Sequence, residues 1–345
     1  MVSFQIVKKQ GVWYDSSHKG VSNMNTGIAG AGSILPAFLE AQAKIPQMHV
    51  KAVCATRRSK GRLEMLAREH GIERIYCDYE EMVKDEKLDV IYVAVPNHLH
   101  YSFARQALLA GKSVLCEKPF CTSMAQAEEL AALAKEKGLC LFEAISNQYF
   151  PNYEKVRELL PNLGAVKIVE INYSQYSSRY DAFKRGEILP VFDPEKSGGA
   201  LMDLNVYNIH FILGLFGEPE EIRYFANMER GIDTSGVLIL KYPGFVCTSV
   251  AAKDCKAPCC INIQGDKGCI HSDSPANVFQ SFRYENNAGE SRVYELNERR
   301  ERLYYELKAF AELAEGRDPQ QGERQLAHSL LVQKVLDEAR RQQNL

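Results

Sequence analysis

Neither sign of charge dominates this chain: 42 lysines and arginines stand against 44 aspartates and glutamates, a formal net charge of −2. The balance removes the whole-chain attraction that a nucleic acid or an acidic membrane would need. No apolar run approaches the roughly 20 residues of a membrane span. Near the N-terminus the only apolar cluster is Phe4-Gln5-Ile6-Val7, too short for a signal-peptide core. The ten cysteines contain no C-x-x-C pair and are read as mostly free thiols in a reducing cytoplasm. Internal repeats and low-complexity stretches are also missing. What remains is the average of a soluble globular protein, 46% hydrophobic and 25% charged over 345 residues. That length predicts two domains, each able to bury its own core.

Residues 1–24 follow no period and are left as a tail of unassigned structure. From 25 to 147, short apolar runs alternate with helical stretches. The predicted strands are Thr26–Ala29, Val50–Cys54, Ile75–Cys77, Val90–Val95, Ser113–Cys116 and Cys140–Glu143, with helices at Leu63–His70, Tyr101–Leu109 and Ala125–Lys137. Ser123 and Gln126 stand at capping-box spacing before the last of these. Val90-Ile91-Tyr92-Val93-Ala94-Val95 shows no polar alternation, the pattern of a strand buried on both faces. Repeated strand–helix alternation of this kind predicts an α/β, doubly wound parallel sheet.

Over 148–345 the pattern changes. Val169, Ile171 and Tyr173 alternate with Glu170, Asn172 and Ser174, a half-buried strand. Strands near Ile222–Ala226, Val237–Leu240, Val246–Val250, Ile261–Gln264, Cys269–His271 and Val278–Tyr284 follow a helical Asp203–Phe216. This predicts an α+β domain with a mostly antiparallel open sheet. Two closing helices, about Arg302–Ala314 and Gln325–Arg341, have apolar residues at helical spacing and could pack back on the first domain.

Gly27-Ile28-Ala29-Gly30-Ala31-Gly32-Ser33-Ile34-Leu35 sits where the first strand turns into the first helix. Gly30 permits the tight turn. Gly32 lets the backbone, with Ser33 and Ile34 opening the helix, approach a pyrophosphate. Leu35 holds the place where a small residue is usual. After the second strand comes Thr56-Arg57-Arg58, and no Asp or Glu occurs between Glu40 and Glu64. An NAD site wants a carboxylate there for the ribose 2′-hydroxyl; a hydroxyl and two guanidiniums suit a 2′-phosphate instead, so NADP is preferred over NAD.

Three more segments fall at strand ends: Ala94-Val95-Pro96-Asn97-His98-Leu99-His100, Cys116-Glu117-Lys118-Pro119 and Glu143-Ala144. Together with the glycine turn and Gly198-Gly199-Ala200-Leu201-Met202-Asp203-Leu204-Asn205-Val206-Tyr207, they make the chain from about residue 25 onward resemble the Gfo/Idh/MocA family (glucose–fructose oxidoreductase, inositol dehydrogenase, rhizopine catabolism). The E-K-P tripeptide is the most specific mark. The resemblance implies an NAD(P)-dependent oxidoreductase acting on a hydroxyl or carbonyl carbon of a sugar, polyol or cyclitol. Lys118 would hold the reacting oxygen, with Asp203 and Tyr207 beside it. Pro96 and Asn97 would touch the nicotinamide ribose, and Glu117 and His100 would lie near the cofactor. Gln148 replaces a family arginine and Asn205 a glycine. Gln148, Arg179 and Tyr180 are candidate substrate contacts.

The chemistry stands on the residues as well. Asp203 and Tyr207, four apart, share a helix face. A tyrosine with a pKa near 10 needs a neighbouring cation to act as a base, and Lys118 can supply it. His210, three residues further, competes for the proton role. Against these stand plainer readings: Asp203 as a helix cap, Tyr207 and His210 as packed rings. Cys255, Cys259 and Cys260, with Cys247 and Cys269 nearby, invite a rival zinc reading, and His98 and His100 resemble a two-histidine metal arm; with no C-x-x-C pair and no supporting carboxylate or thiol cluster, no metal is expected. A homodimer or homotetramer through the second-domain sheet is expected, with no nucleic-acid or membrane partner. The alternative function is a non-catalytic dinucleotide or ligand sensor of the same fold.

Overall fold

The computed structural model describes residues 23–316 and 319–345. All but the last two residues of the expected tail lie outside that range, and Met24 already belongs to a strand.

The first sheet has the strand order β3-β2-β1-β4-β5-β6, parallel throughout, with a helix between each pair. In chain order these are β1 (Met24–Ala29), α1 (Leu35–Gln42), β2 (Met48–Cys54), α2 (Lys60–His70), β3 (Arg74–Tyr76), α3 (Tyr79–Val83), β4 (Val90–Val93), α4 (His100–Leu109), β5 (Ser113–Glu117), α5 (Met124–Lys137) and β6 (Leu141–Ala144). All four residues of β4 are buried, which is why its sequence has no polar alternation. Ser123 caps α5 as its spacing predicts, its hydroxyl accepting from the Gln126 amide.

Side chains of α1 and α2, such as Phe38, Leu39 and Leu63, cover one face of the sheet; α3, α4 and α5 cover the other through Met82, Leu108 and Leu130. The first face is completed from far along the chain: α9 (Tyr304–Ala314) supplies Leu307 and Phe310. Fully burying such side chains stabilises the fold by about 1.5–3 kcal/mol each. The strand order reverses direction of growth between β1 and β4, so a crevice opens at their carboxyl ends.

The second half begins with α6 (Pro151–Leu159), β7 (Val166–Ser174), the short α7 (Tyr180–Lys184) and α8 (Val206–Phe216). It continues with β8 (Glu221–Glu229), β9 (Ile232–Tyr242), β10 (Phe245–Ala252), β11 (Cys260–Gly265), β12 (Gly268–Ser272), β13 (Phe282–Asn286) and β14 (Ser291–Tyr294). The sheet order is β14-β13-β12-β11-β7-β10-β9-β8, antiparallel except where β7 lies parallel to β10. Its inner face packs on α8, α6 and α10 (Pro319–Arg341), while Ile168, Val246 and Phe225 are exposed on strands of the same sheet.

Two expectations need correction. Val278–Tyr284 becomes a strand only from Phe282, because Phe279 leaves extended geometry (φ +37°) to insert its ring against Phe211. The helix expected from Asp203 starts earlier, with a widened π turn over Leu201–Asn205, a feature that frequently marks functional sites. The stretch Pro194–Phe216 is apolar enough by length and composition to cross a membrane, yet Val206 through Leu213 are all buried inside the protein. It is a core helix.

Candidate active site

A cleft of about 940 Å³ runs from the glycine turn to Tyr207, between the two sheets. At one end its wall is main chain. Gly30 has φ +126°, and a Cβ there would lie 2.1 Å from the Ala94 carbonyl oxygen, so only glycine fits. Its N–H donates to the Cys54 carbonyl at 2.8 Å, tying the turn to β2. Gly32, Ser33 and Ile34 continue the wall into α1. A backbone cradle that a side chain would fill, at a helix start, fits the pyrophosphate of a dinucleotide.

Thr56 lines the cleft, whereas Arg57 and Arg58 are exposed on a 3₁₀ turn next to it and form no part of its wall. Ser59 and Asp78 do line it. Asp78 is a carboxylate that does not show in the sequence at the β2 end, because it follows β3. Its Oδ1 is engaged by the Glu80 amide at 2.8 Å.

Pro96 and Asn97 line the middle, and the Asn97 amide donates to the Ser197 carbonyl at 2.9 Å, linking the two halves of the chain. His100 also lines the cleft, with each ring nitrogen against a main-chain carbonyl, only one of which the neutral ring can donate to: Nδ1 lies 2.8 Å from the Pro119 carbonyl and Nε2 2.9 Å from that of Val95. Its role is to brace the β4 and β5 ends against each other. Burial lowers its pKa, opposed by those two carbonyls.

The far end is made of side chains. Lys118 Nζ donates to the Asp203 carbonyl oxygen at 2.9 Å and to Asp203 Oδ1 at 3.1 Å, and lies 4.8 Å from the centre of the Tyr207 ring. Burial works against the Lys118 charge, but Tyr207 and Asp203 more than offset it and hold the ammonium form above its ordinary range. Burial likewise opposes the Asp203 anion, yet Lys118 and Lys253 hold its carboxyl well below the usual carboxylate range. Asp203 is therefore an acceptor and an orienting charge, too weak a base to take a proton. Burial pushes the Tyr207 phenol up, and Lys118 and Arg302 only partly offset it. Tyr207 thus carries its proton at neutral pH. Glu117 is pushed up by burial too, and accepts from the Tyr92 hydroxyl.

Three expected residues lie elsewhere. His210 is fully buried behind the site, with Nδ1 2.9 Å from His328 Nε2 and Nε2 3.4 Å from Glu143 Oε1. It does not reach the cleft and cannot take the proton role. Gln148 is a core residue whose amide donates to the His210 carbonyl at 2.8 Å, filling space left by Gly214. Tyr180 turns its hydroxyl to Glu229 at 2.8 Å and packs on Phe183 and Phe192. Arg179 alone of the three substrate candidates lines the cleft. Asn205 is buried against Ser249 and Asn208.

Three cations at the site carry no motif in the sequence; one is Lys196, which lines the cleft and pairs with Asp193. Arg302 lines the cleft from the turn before α9. Lys253 is buried, with Nζ 2.7 Å from Asp203 Oδ2 and 2.9 Å from the Val191 carbonyl. A signal for it existed: Cys247, Ser249 and Ala251 form the inward set of β10, and the same alternation carries on to 253. Among the described residues no two cysteines form a disulfide, and no three His, Cys, Asp or Glu side chains gather as a metal site.

Residues 24–145 match the model of the Gfo/Idh/MocA oxidoreductase family with its NAD-binding Rossmann fold, and residues 153–271 match that family's C-terminal domain. Scyllo-inositol 2-dehydrogenase (NADP(+)) IolU of Bacillus subtilis is 34% identical over 92% of this chain and 96% of its own. The trans-1,2-dihydrobenzene-1,2-diol dehydrogenase of Sus scrofa is 32% identical over 64% of this chain and 65% of its own. Among solved structures, the 3-ketoreductase KijD10 of Actinomadura kijaniata, in complex with NADP and TDP-benzene, shares the fold with a TM-score of 0.80. It is 23% identical and covers 92% of this chain and 97% of that one.

Proposed function

The chain belongs to the Gfo/Idh/MocA oxidoreductase family and is an NAD(P)-dependent oxidoreductase; from that premise we propose that it interconverts a ring hydroxyl and ketone of a cyclitol, sugar or related polyol, with Lys118, Asp203 and Tyr207 at the reacting carbon. The observation that carries this is the contact of Lys118 with both Asp203 and the Tyr207 ring at the end of a dinucleotide-sized cleft.

The bound cofactor would accept the hydride as NADP+ in alcohol oxidation and supply it as NADPH in ketone reduction. Gly30, Gly32, Ser33 and Ile34 would hold its pyrophosphate, Thr56 with Arg57 and Arg58 at the rim its 2′-phosphate, and Pro96, Asn97 and Glu117 its nicotinamide end. Lys118 then hydrogen-bonds the substrate oxygen and stabilises negative charge as it develops there. Tyr207 exchanges the proton: its phenol donates it when a ketone is reduced, and must lose it when an alcohol is oxidised. Asp203 keeps Lys118 aimed and accepts from a neighbouring substrate hydroxyl. Arg179 is the proposed substrate contact from the second half of the chain.

Two further proposals go with this reading. Ten cysteines without a disulfide among the described residues suit a reducing compartment, so the cytoplasm is the proposed location. Exposed apolar residues on the second sheet, Ile168, Val246 and Phe225 among them, suit a homodimer or homotetramer formed through that sheet.

The test is steady-state formation of NADPH or NADH with a panel of inositols, aldoses, dihydrodiols and open-chain alcohols. Turnover should appear with a cyclic polyol and favour NADP. Turnover confined to open-chain alcohols, with none on any ring substrate, would overturn the substrate class.

A further inference from the structure

Asp203 has two carboxylate oxygens, and the structure gives each its own lysine. Lys118 takes Oδ1; Lys253 takes Oδ2 and anchors itself on the Val191 carbonyl, with its ammonium 4.7 Å from the centre of the Phe192 ring. Lys253 is only 2% exposed and does not line the cleft. Its route to the cleft runs through Asp203. A buried lysine that keeps its charge must be matched by a specific partner, and here that partner is the carboxylate beside the reacting oxygen.

The consequence is a charge count. Lys118 paired with Asp203 alone is a neutral couple, whose field at the substrate oxygen is that of a dipole. Adding Lys253 makes the trio net positive, so the pairing that orients Lys118 no longer cancels its charge. We infer that Lys253 is a positioning residue of the reaction: it holds the Asp203 carboxylate by its far oxygen and keeps the Lys118 site cationic toward the substrate oxygen. This rests on the roles proposed above for Lys118, Asp203 and Tyr207.

Several other charges share the neighbourhood. Around Tyr207 are Lys118 and Glu117 from the β5 end, Asp203 from the π turn leading into its own helix, Tyr173 from β7 and Arg302 before α9. Around Lys253 are Asp203, Lys118 and the buried Asp233 of β9. Losing the Lys253 charge leaves Asp203 less neutralised, which disfavours a phenolate at Tyr207. The pH at which alcohol oxidation reaches half its maximum should then rise.

The experiment compares Lys253→Gln, Lys253→Met and Lys253→Arg in the full chain, with NADP binding as the check of folding. Gln keeps a donor toward Asp203 without the charge, and remains informative if Met fails to fold. Gln should lower kcat about 10-fold, leave NADP affinity unchanged, and raise the alkaline limb of oxidation by about half a pH unit or more. Arg should restore most of both. A folded Gln variant with wild-type kcat and pH profile, losing only thermal stability, would reduce Lys253 to a structural residue and overturn the inference. Wild-type turnover in Lys118→Met would instead overturn the site on which it rests.

Discussion

At the glycine end of the cleft the wall is main chain, closed by the Gly30 amide on Cys54 and the near contact of Gly30 with Ala94. At the lysine end it is side chains from positions 118, 203 and 207, with Lys253 behind the wall on the far oxygen of the same ion-paired carboxylate. The first depends on whether a backbone can adopt one shape. The second depends on charges arriving from β5, from the turn before α8 and from the end of β10, and on little of the backbone between. One end should fail by sterics and the other by electrostatics.

The largest effect should come from breaking the backbone end. Gly30→Ala places a methyl group on the Ala94 oxygen at a φ that alanine avoids, and NADP binding should weaken by more than about 100-fold by calorimetry. Near-normal binding would show that the turn yields more readily than its geometry indicates. Lys118→Met tests the other end. It should keep NADP affinity and lose about 100-fold or more in kcat, equivalent to roughly 2.7 kcal/mol of transition-state stabilisation.

Tyr207→Phe sharpens the contrast because it keeps the ring and removes only the hydroxyl. With the phenol pushed up by burial, ketone reduction in the wild type should be level through neutral pH and fall in the alkaline range. Alcohol oxidation should rise over that same range. The Phe variant should be slower by about 10- to 100-fold, with both limbs flattened; unchanged limbs would pass the proton to another group. The smallest kinetic effect belongs to Gln148→Ala. Outside the cleft, it should leave KM and kcat within about twofold. Chemical denaturation should show a loss of about 2 kcal/mol, from a cavity and the lost Gln148 donor to the His210 carbonyl.

Strand–helix alternation and the unbroken apolar run at 90–95 were enough to recognise the parallel sheet and the glycine turn. Lys118, Asp203 and Tyr207 could be named from motifs. Gln148, Tyr180 and His210 could not be excluded that way, because a polar residue next to a motif reads alike whether it faces a cleft or a core. His210 is the plainest case: it follows Tyr207 by three residues, yet it meets His328 from a helix more than a hundred residues later.

Local sequence thus determined the elements that depend on period, capping and glycine: the strands of the first sheet, the Ser123 cap and the Gly30 turn. Tertiary structure alone decided which polar side chains meet. Helix α9 closes a face of the first sheet, Arg302 enters the cleft ahead of it, and Lys253 reaches Asp203 across fifty residues of chain. The physical reason is range. Backbone conformation is set by sterics within a few residues, whereas the partner of a buried charge is set by whatever the packing brings within about 3 Å of it.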